Sequence, residues 1–170
     1  MLIRFSVVQS SYLGWVLVAA TDSGICSLAL GADPETLREE LRLRFPQAEF
    51  REGDPAILEM VSQVLSFVEA PRSVHDLPLD IQGSSFQQRV WLALREIPPG
   101  STVSYRELAA RIVRPKAVRA VATACAANPV AVLVPCHRVV RSDGNLAGYR
   151  WGLERKRALL AREAGEENGD

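Results

Sequence analysis

The sequence predicts a mixed α/β (α+β) chain built as two units: an amino-terminal antiparallel sheet with helices, and a mainly helical carboxy-terminal part. Three observations predict it. Alternating apolar residues mark three strands before residue 32, with a turn signal, Thr21-Asp22-Ser23-Gly24, between the second and third. Apolar residues at helical spacing then recur from residue 33 to the end. The stretch Ala70 to Ser85 carries Pro71, Pro78, Gly83 and three serines, and reads as a linker between units 1–80 and 81–170.

The elements follow in order. Leu2 to Val8, Gly14 to Ala20 and Gly24 to Leu30 are expected to form an antiparallel meander. Asp33-Pro34-Glu35 supplies an N-cap, a proline suited to the first helical position and an acidic first turn. That helix should bury Leu37, Leu41 and Phe45 before Pro46 stops it. Asp54-Pro55 repeats the start signal. Ile57, Met60, Val61, Val64, Leu65 and Val68 then share one helical face. A short extended piece is expected near Leu77 to Ile81.

In the second unit Ser85 is expected to cap a helix with Phe86, Val90, Leu94 and Ile97 inward. Pro98-Pro99-Gly100 ends it. Ser104-Tyr105-Arg106-Glu107 is a capping box opening a short helix. Pro115 is expected to start the next, which runs to about Ala127 before Asn128-Pro129. Two short helices joined tightly outline a helix-turn-helix. On the second, Val118, Val121, Ala122 and Cys125 share a core face. Lys116, Arg119, Ala120, Thr123 and Ala127 share the opposite face, basic and otherwise small. Val130 to Val134 reads as a buried strand, ended by Pro135. Arg141 to Asn145 is a turn. Gly152 to Glu163 is the last helix, with Leu153 and Leu160 inward, and a polar tail follows.

Charge sharpens the division. Residues 1–80 carry six arginines against twelve acids, net −6; residues 81–162 carry fourteen basic residues against four acids, net +10; residues 163–170 are net −4. The basic middle block suits a polyanion partner. Small side chains on the outer helix face give poor direct readout of base edges, so sequence-tolerant contact to phosphates is expected. Three cysteines without a CxxC spacing argue against a disulfide framework and for a reducing cytoplasm. No apolar run reaches membrane-span length, and no metal motif or cofactor signature is present. The absence of heptads or large spare apolar faces favours a monomer.

Chemistry concentrates at Pro135-Cys136-His137-Arg138-Val139. A cysteine at the end of a rigid element faces the space beyond it. The cationic neighbours His137 and Arg138 are expected to lower its pKa. His75, in the linker, is read as inert.

These residues resemble a family. PCHRV, preceded by Asn128-Pro129 and followed by Gly148-Tyr149, is similar to the motif of the methylated-DNA–protein-cysteine methyltransferases. The likeness extends through Phe86-Gln87, Val90-Trp91, Thr102 to Tyr105, Arg119-Ala120-Val121, Lys156, Leu159-Leu160 and Glu163, covering residues 82–163. The first eighty residues resemble the family's RNase H-like amino-terminal domain more weakly. The resemblance implies stoichiometric transfer of a methyl or small alkyl group from 6-O-alkylguanine in duplex DNA to Cys136 after base flipping, with 4-O-methylthymine a further candidate substrate. It implies that His137 acts as base through a bridging water, oriented by Glu163, with Asn128 linking the recognition helix to the cysteine segment. A winged-helix-like motif would lie in the minor groove, with Lys116, Ala120 and Thr123 on its outer face and Arg119 filling the gap left by the flipped nucleotide. Tyr105 would press on the target phosphate. Tyr149 and the backbone at Val139 would line the guanine pocket, and Trp151 would narrow it. Val113 stands where the family usually carries glycine, so the turn before the recognition helix is expected to differ. Three rivals fit less well. A non-catalytic alkyltransferase-like lesion binder would lack the acceptor cysteine. A cysteine hydrolase leaves the basic block unexplained, and a plain DNA-binding regulator leaves Cys136, His137 and Glu163 without a role.

Overall fold

The computed structural model describes residues 1–165; the expected polar tail at 166–170 lies outside the described residues. The chain divides into two compact units, Met1–Gln82 and Gly83–Asp170.

In the first unit β1 (Leu2–Ser10), β2 (Gly14–Thr21) and β3 (Gly24–Gly31) form the expected antiparallel meander. A fourth strand, β4 (Glu49–Glu52), joins parallel to β1, giving the order β3-β2-β1-β4. The sequence did not announce it. Glu-Phe-Arg-Glu is short and mostly charged, and only Phe50 carries an apolar contact, edge-on to Phe5 at 6.2 Å between ring centroids. Helix α1 (Pro34–Arg44) starts as expected, with Asp33 accepting from the backbone N–H groups of Glu35 and Thr36. Its Leu37 and Leu41, with Phe45, pack on Ile3, Phe5, Leu17 and Ala19 of the sheet. Val16, Val18 and Ala20 point the other way and are equally buried, so β2 is covered on both faces. A short 3₁₀ turn at Pro55–Ile57 precedes α2 (Leu58–Glu69), which buries Val61, Val64 and Val68 and packs against β1. The linker is tied to β3 by Ile25 N–H donating to Pro78 O (2.9 Å) and Asp80 N–H to Ile25 O (2.8 Å). This approach needs Gly24, because a Cβ there would lie 2.7 Å from the Pro78 carbonyl.

The second unit holds α3 (Ser85–Arg95), β5 (Val103–Ser104), α4 (Tyr105–Arg111), α5 (Val118–Ala126), β6 (Val139–Val140) and α6 (Leu153–Glu163). The N-cap of α3 is Ser84 rather than Ser85: its side chain accepts from Gln87 N–H (3.1 Å) and its own N–H donates to Gln87 Oε1 (2.9 Å), a closed capping box. The Ser104–Glu107 box opens α4 as expected. Helix α5 begins at Val118, three residues after Pro115. The proline instead occupies the second position of a turn closed by Ala117 N–H donating to Arg114 O at 2.9 Å. In α6 the inward residues are Lys156, Leu159 and Glu163, whereas Leu153 is 38% exposed.

The expected strand at 130–134 is absent. All five residues are buried, but the backbone is a set of tight turns: Val132 has φ 68°, Leu133 N–H donates to Ala131 O (2.7 Å) and Val134 N–H to Val130 O (3.2 Å). A short apolar run does not distinguish a strand from any other fully buried segment.

Between α4 and α5 the turn keeps a positive φ despite the valine. Val113 has φ 59° and is 79% exposed. Val113 N–H donates to Ala110 O (3.0 Å) and Arg114 N–H to Ala109 O (2.9 Å), the paired closure in which glycine normally holds the left-handed position. A β-branched residue is strained there and gains no burial in return. Val113→Gly is therefore expected to stabilise the protein by about 1 kcal/mol, raising Tm by roughly 2–4 °C in thermal unfolding.

Candidate active site

Helix α5, the turns at 130–135 and the start of α6 converge on Cys136. Pro135 (φ −83°, ψ 61°) centres a three-residue turn in which Cys136 N–H donates to Val134 O at 2.8 Å. Cys136 to Arg138 then form one 3₁₀ turn. Successive side chains splay by about 120° in that geometry rather than alternating as on a strand. The cysteine thus faces a cavity while His137 and Arg138 turn inward.

Asn128 holds the segment. It is fully buried; its Nδ2 donates to Val134 O (2.8 Å) and to Cys136 Sγ (3.2 Å), and its Oδ1 accepts from Val130 N–H (2.9 Å). One amide thus supplies hydrogen bonds that a strand ladder would otherwise provide, and fixes the sulfur.

Behind the cysteine lies a buried charge cluster. Glu163, at the end of α6, accepts from His137 Nε2 through Oε1 and from Arg138 Nε through Oε1 (3.1 Å) and Oε2 (2.8 Å). Arg138 also donates to Ile97 O at 2.6 Å. Lys156, about two helical turns before Glu163, is fully buried and donates Nζ to Val139 O at 2.7 Å. That carbonyl is therefore engaged by Lys156, and Val139 is not among the residues of the cavity wall.

The cavity has a volume of about 560 Å³. Cys136 forms part of its wall with Tyr105 from α4 and Tyr149; Ala122, Cys125 and Ala126 of α5 form another side. Arg141, Arg150, Ala147 and Gly148 complete it. Tyr149 stands edge-on to His137 (6.5 Å between centroids) and to Trp151 (5.3 Å). Trp151 sits behind Tyr149 under the Arg150 guanidinium (5.4 Å), outside the cavity wall. Its influence on cavity width is exerted through Tyr149 and Arg150.

The expected lowering of the thiol pKa by His137 and Arg138 is not found. Burial pushes Cys136 up to about 11, against the opposing hydrogen bond from Asn128 and the charges of Lys156 and Arg150. His137 is held below its ordinary value, because burial outweighs its bond to Glu163 and the Arg138 and Lys156 charges act in the same direction as burial. Tyr105 is raised to about 12 by burial and by the cavity thiols, so it remains a phenol.

The structure thus brings Cys136, Tyr105 and Tyr149 around one cavity, with Asn128, His137 and Glu163 buried behind it. Lys116, Arg119, Ala120 and Thr123 are exposed at and before α5, outside the cavity wall. His75 belongs to the first unit, where its ring packs on Phe67 at 4.6 Å. Sequence reasoning gave no site role to Cys125, Arg141 or Arg150, and took Arg138 for a partner of the thiol. The helical spacing of Ala122, Cys125 and Ala126 was the available signal for one wall.

Comparison with known proteins follows this geometry. A family model described as the DNA-binding domain of 6-O-methylguanine DNA methyltransferase matches residues 85–165. The Escherichia coli bifunctional transcriptional activator/DNA repair enzyme Ada is 53% identical over 155 residues, covering 91% of this chain and 44% of Ada, so the chain spans less than half of that relative. The inducible methylated-DNA–protein-cysteine methyltransferase of Bacillus subtilis is 41% identical, covering 84% of this chain and 80% of that protein. Among solved structures, Mycobacterium tuberculosis OGT in complex with DNA superposes with a TM-score of 0.78 at 34% identity, over 95% of this chain and 93% of that one. The chain belongs to the methylated-DNA–protein-cysteine methyltransferase family.

Two outcomes follow from the site. At pH 8 iodoacetamide should label Cys136 in the DNA-free protein about a hundredfold more slowly than an exposed cysteine, by peptide mapping, because so little is thiolate. Between the depressed folded pKa of His137 and its unfolded value near 6.5, the unfolded chain binds more protons. Stability should therefore fall as pH is lowered through that window, and His137→Gln should flatten this part of the Tm–pH curve.

Proposed function

We propose that this chain repairs DNA by moving a methyl or small alkyl group from the 6-oxygen of guanine onto Cys136, once per molecule. The observation that carries the reading is a thiol on a cavity wall with a buried His137–Glu163 pair beneath it.

Cys136 Sγ attacks the alkyl carbon, the carbon–oxygen bond breaks and the purine departs with the electron pair. The thiol proton passes through a bridging water to His137. The Nε2–H of His137 is directed at Glu163, and its Nδ1 has no hydrogen-bond partner among the described residues. A neutral resting histidine suits a proton acceptor. Tyr105, kept protonated, donates to the departing purine. Asn128 holds the sulfur in line. Tyr149 serves the base from the cavity wall, and Trp151 limits bulky groups from behind Tyr149. The product thioether has no leaving tendency, which makes the transfer stoichiometric.

A stacked guanine cannot bring its 6-oxygen to a cavity, so the lesion must rotate out of the duplex. The exposed outer face of α5 supports minor-groove docking: Ala120 and Thr123 permit close approach, Lys116 meets phosphate and Arg119 takes the vacated place. The first unit acts as an RNase H-like platform, and the second, with α4 and α5 as a winged-helix-like motif, carries the chemistry. The protein works as a monomer in the cytoplasm, where its three free cysteines stay reduced. Among the described residues no helix is long and apolar enough to cross a membrane.

Intact mass after mixing with a duplex bearing one 6-O-methylguanine, followed by peptide mapping, tests the reading. One added methyl on Cys136, absent in Cys136→Ser, is expected. Unchanged mass in a protein that still binds the lesion would replace the transferase reading with that of a lesion binder.

A further inference from the structure

The cavity beside Cys136 is not electrically neutral. Its wall contains two guanidinium groups, Arg141 and Arg150, and no carboxylate. The two arginines differ in how firmly they are held. Both are exposed, and Arg141 opens the turn after β6. Arg150 is fixed twice: Nη1 donates to Asn128 O at 3.0 Å, and its guanidinium carbon lies over the Trp151 ring, 5.4 Å from the centroid. Asn128 in turn donates to Cys136 Sγ, so one residue separates the guanidinium from the reacting sulfur. A guanidinium has five N–H donors. Arg150 directs one at the Asn128 carbonyl, and no carboxylate of the described residues pairs with it. The rest of this side of the wall, Ala147 and Gly148, offers no competing polar side chain.

Resting on the alkyl-transfer reading, we propose that Arg150 is a charge-selecting residue of this site, favouring 6-O-alkylguanines whose alkyl group carries an anion, such as carboxymethyl. The carboxylate meets the free N–H edge of Arg150 while the methylene carbon faces Cys136 Sγ. A fixed, planar donor edge suits a carboxylate better than a flexible ammonium would. The chemistry is otherwise the same displacement: a sulfur–carbon bond forms to the methylene, the carbon–oxygen bond breaks with its electron pair leaving on the purine, and the carboxylate passes unchanged onto the protein as S-carboxymethylcysteine. Trp151 contributes by holding the guanidinium in place through cation–π contact.

The test compares two duplexes alike except at the lesion, 6-O-carboxymethylguanine against its neutral near-isostere 6-O-carbamoylmethylguanine, in single-turnover transfer with the full chain. Because the DNA is the same, phosphate contacts cancel in the rate ratio. The carboxymethyl/carbamoylmethyl ratio should be about fivefold higher in the native protein than in Arg150→Gln, the size expected of one partly exposed charge pair. Arg150→Lys should keep part of the preference. In the native protein the ratio should also shrink as salt is raised, a readout that needs no variant to fold. Equal ratios in native protein and Arg150→Gln, or a ratio indifferent to salt, would overturn the charge selection and leave Arg150 a DNA or structural contact. A parallel duplex with 6-O-methylguanine separates the two readings: failure of methyl transfer to Cys136 in the native protein sinks the transferase itself, not this selectivity.

Discussion

The second unit depends on one buried carboxylate. Glu163 is fully buried at the end of α6, where a lone charge would be prohibitively costly. It is tolerated because Arg138 and His137 both turn to it. Those two residues lie in the same 3₁₀ turn as Cys136, so satisfying the carboxylate fixes the direction of the cysteine. Arg138 extends the tie to the end of α3 through Ile97 O. Lys156 adds a second buried anchor from α6 to Val139, on the other side of the turn. The reactive segment is thus pinned from α6 on both flanks.

Asn128 settles the remaining side. The turns at 130–134 have no ladder to satisfy their backbone, and one buried amide takes up Val130 N–H and Val134 O. The same amide nitrogen reaches Cys136 Sγ. Positioning the nucleophile and stabilising an irregular buried backbone are one function here. Strained φ at Val132 is held by this surrounding structure, as strain beside reactive groups commonly is.

Much of this was legible in the sequence, and the failures are physical rather than random. Caps were the most readable signals: Asp33, Asp54 and Ser104 act where their side chains said they would. Ser84 and Ser85 are each followed three residues on by a glutamine, Gln87 and Gln88, so both offer the same capping box, and the structure closes it at Ser84. Pro115 was ambiguous because a fixed φ suits both the first position of a helix and the second of a β-turn. The run at 130–134 was misread because burial alone sets its composition, and its backbone is decided by Asn128 outside the run. Cys136 and His137 stand out because they lie in one dense motif, whereas Glu163, far along the chain on the last helix, is singled out only by the resemblance to the family. Arg150 was overlooked because its place in the wall depends on a contact with Asn128, twenty-two residues away, which no local pattern encodes.

The raised thiol pKa looks at odds with a nucleophile, and resolves how such a site can be both stable and reactive. If Cys136 accepts one alkyl group per molecule as proposed, a thiolate held permanently in the cavity would react with any small electrophile that entered and spend that single event. Burial keeps Cys136 protonated. On the proposed reading a neutral His137, with Nε2 committed to Glu163, takes the proton when a reaction partner is aligned. Proton transfer and sulfur attack then belong to one event rather than to a resting population of thiolate. On this view the low resting reactivity follows from the same burial that orients the side chains. Loosening the cavity would raise thiolate content and lose alignment together.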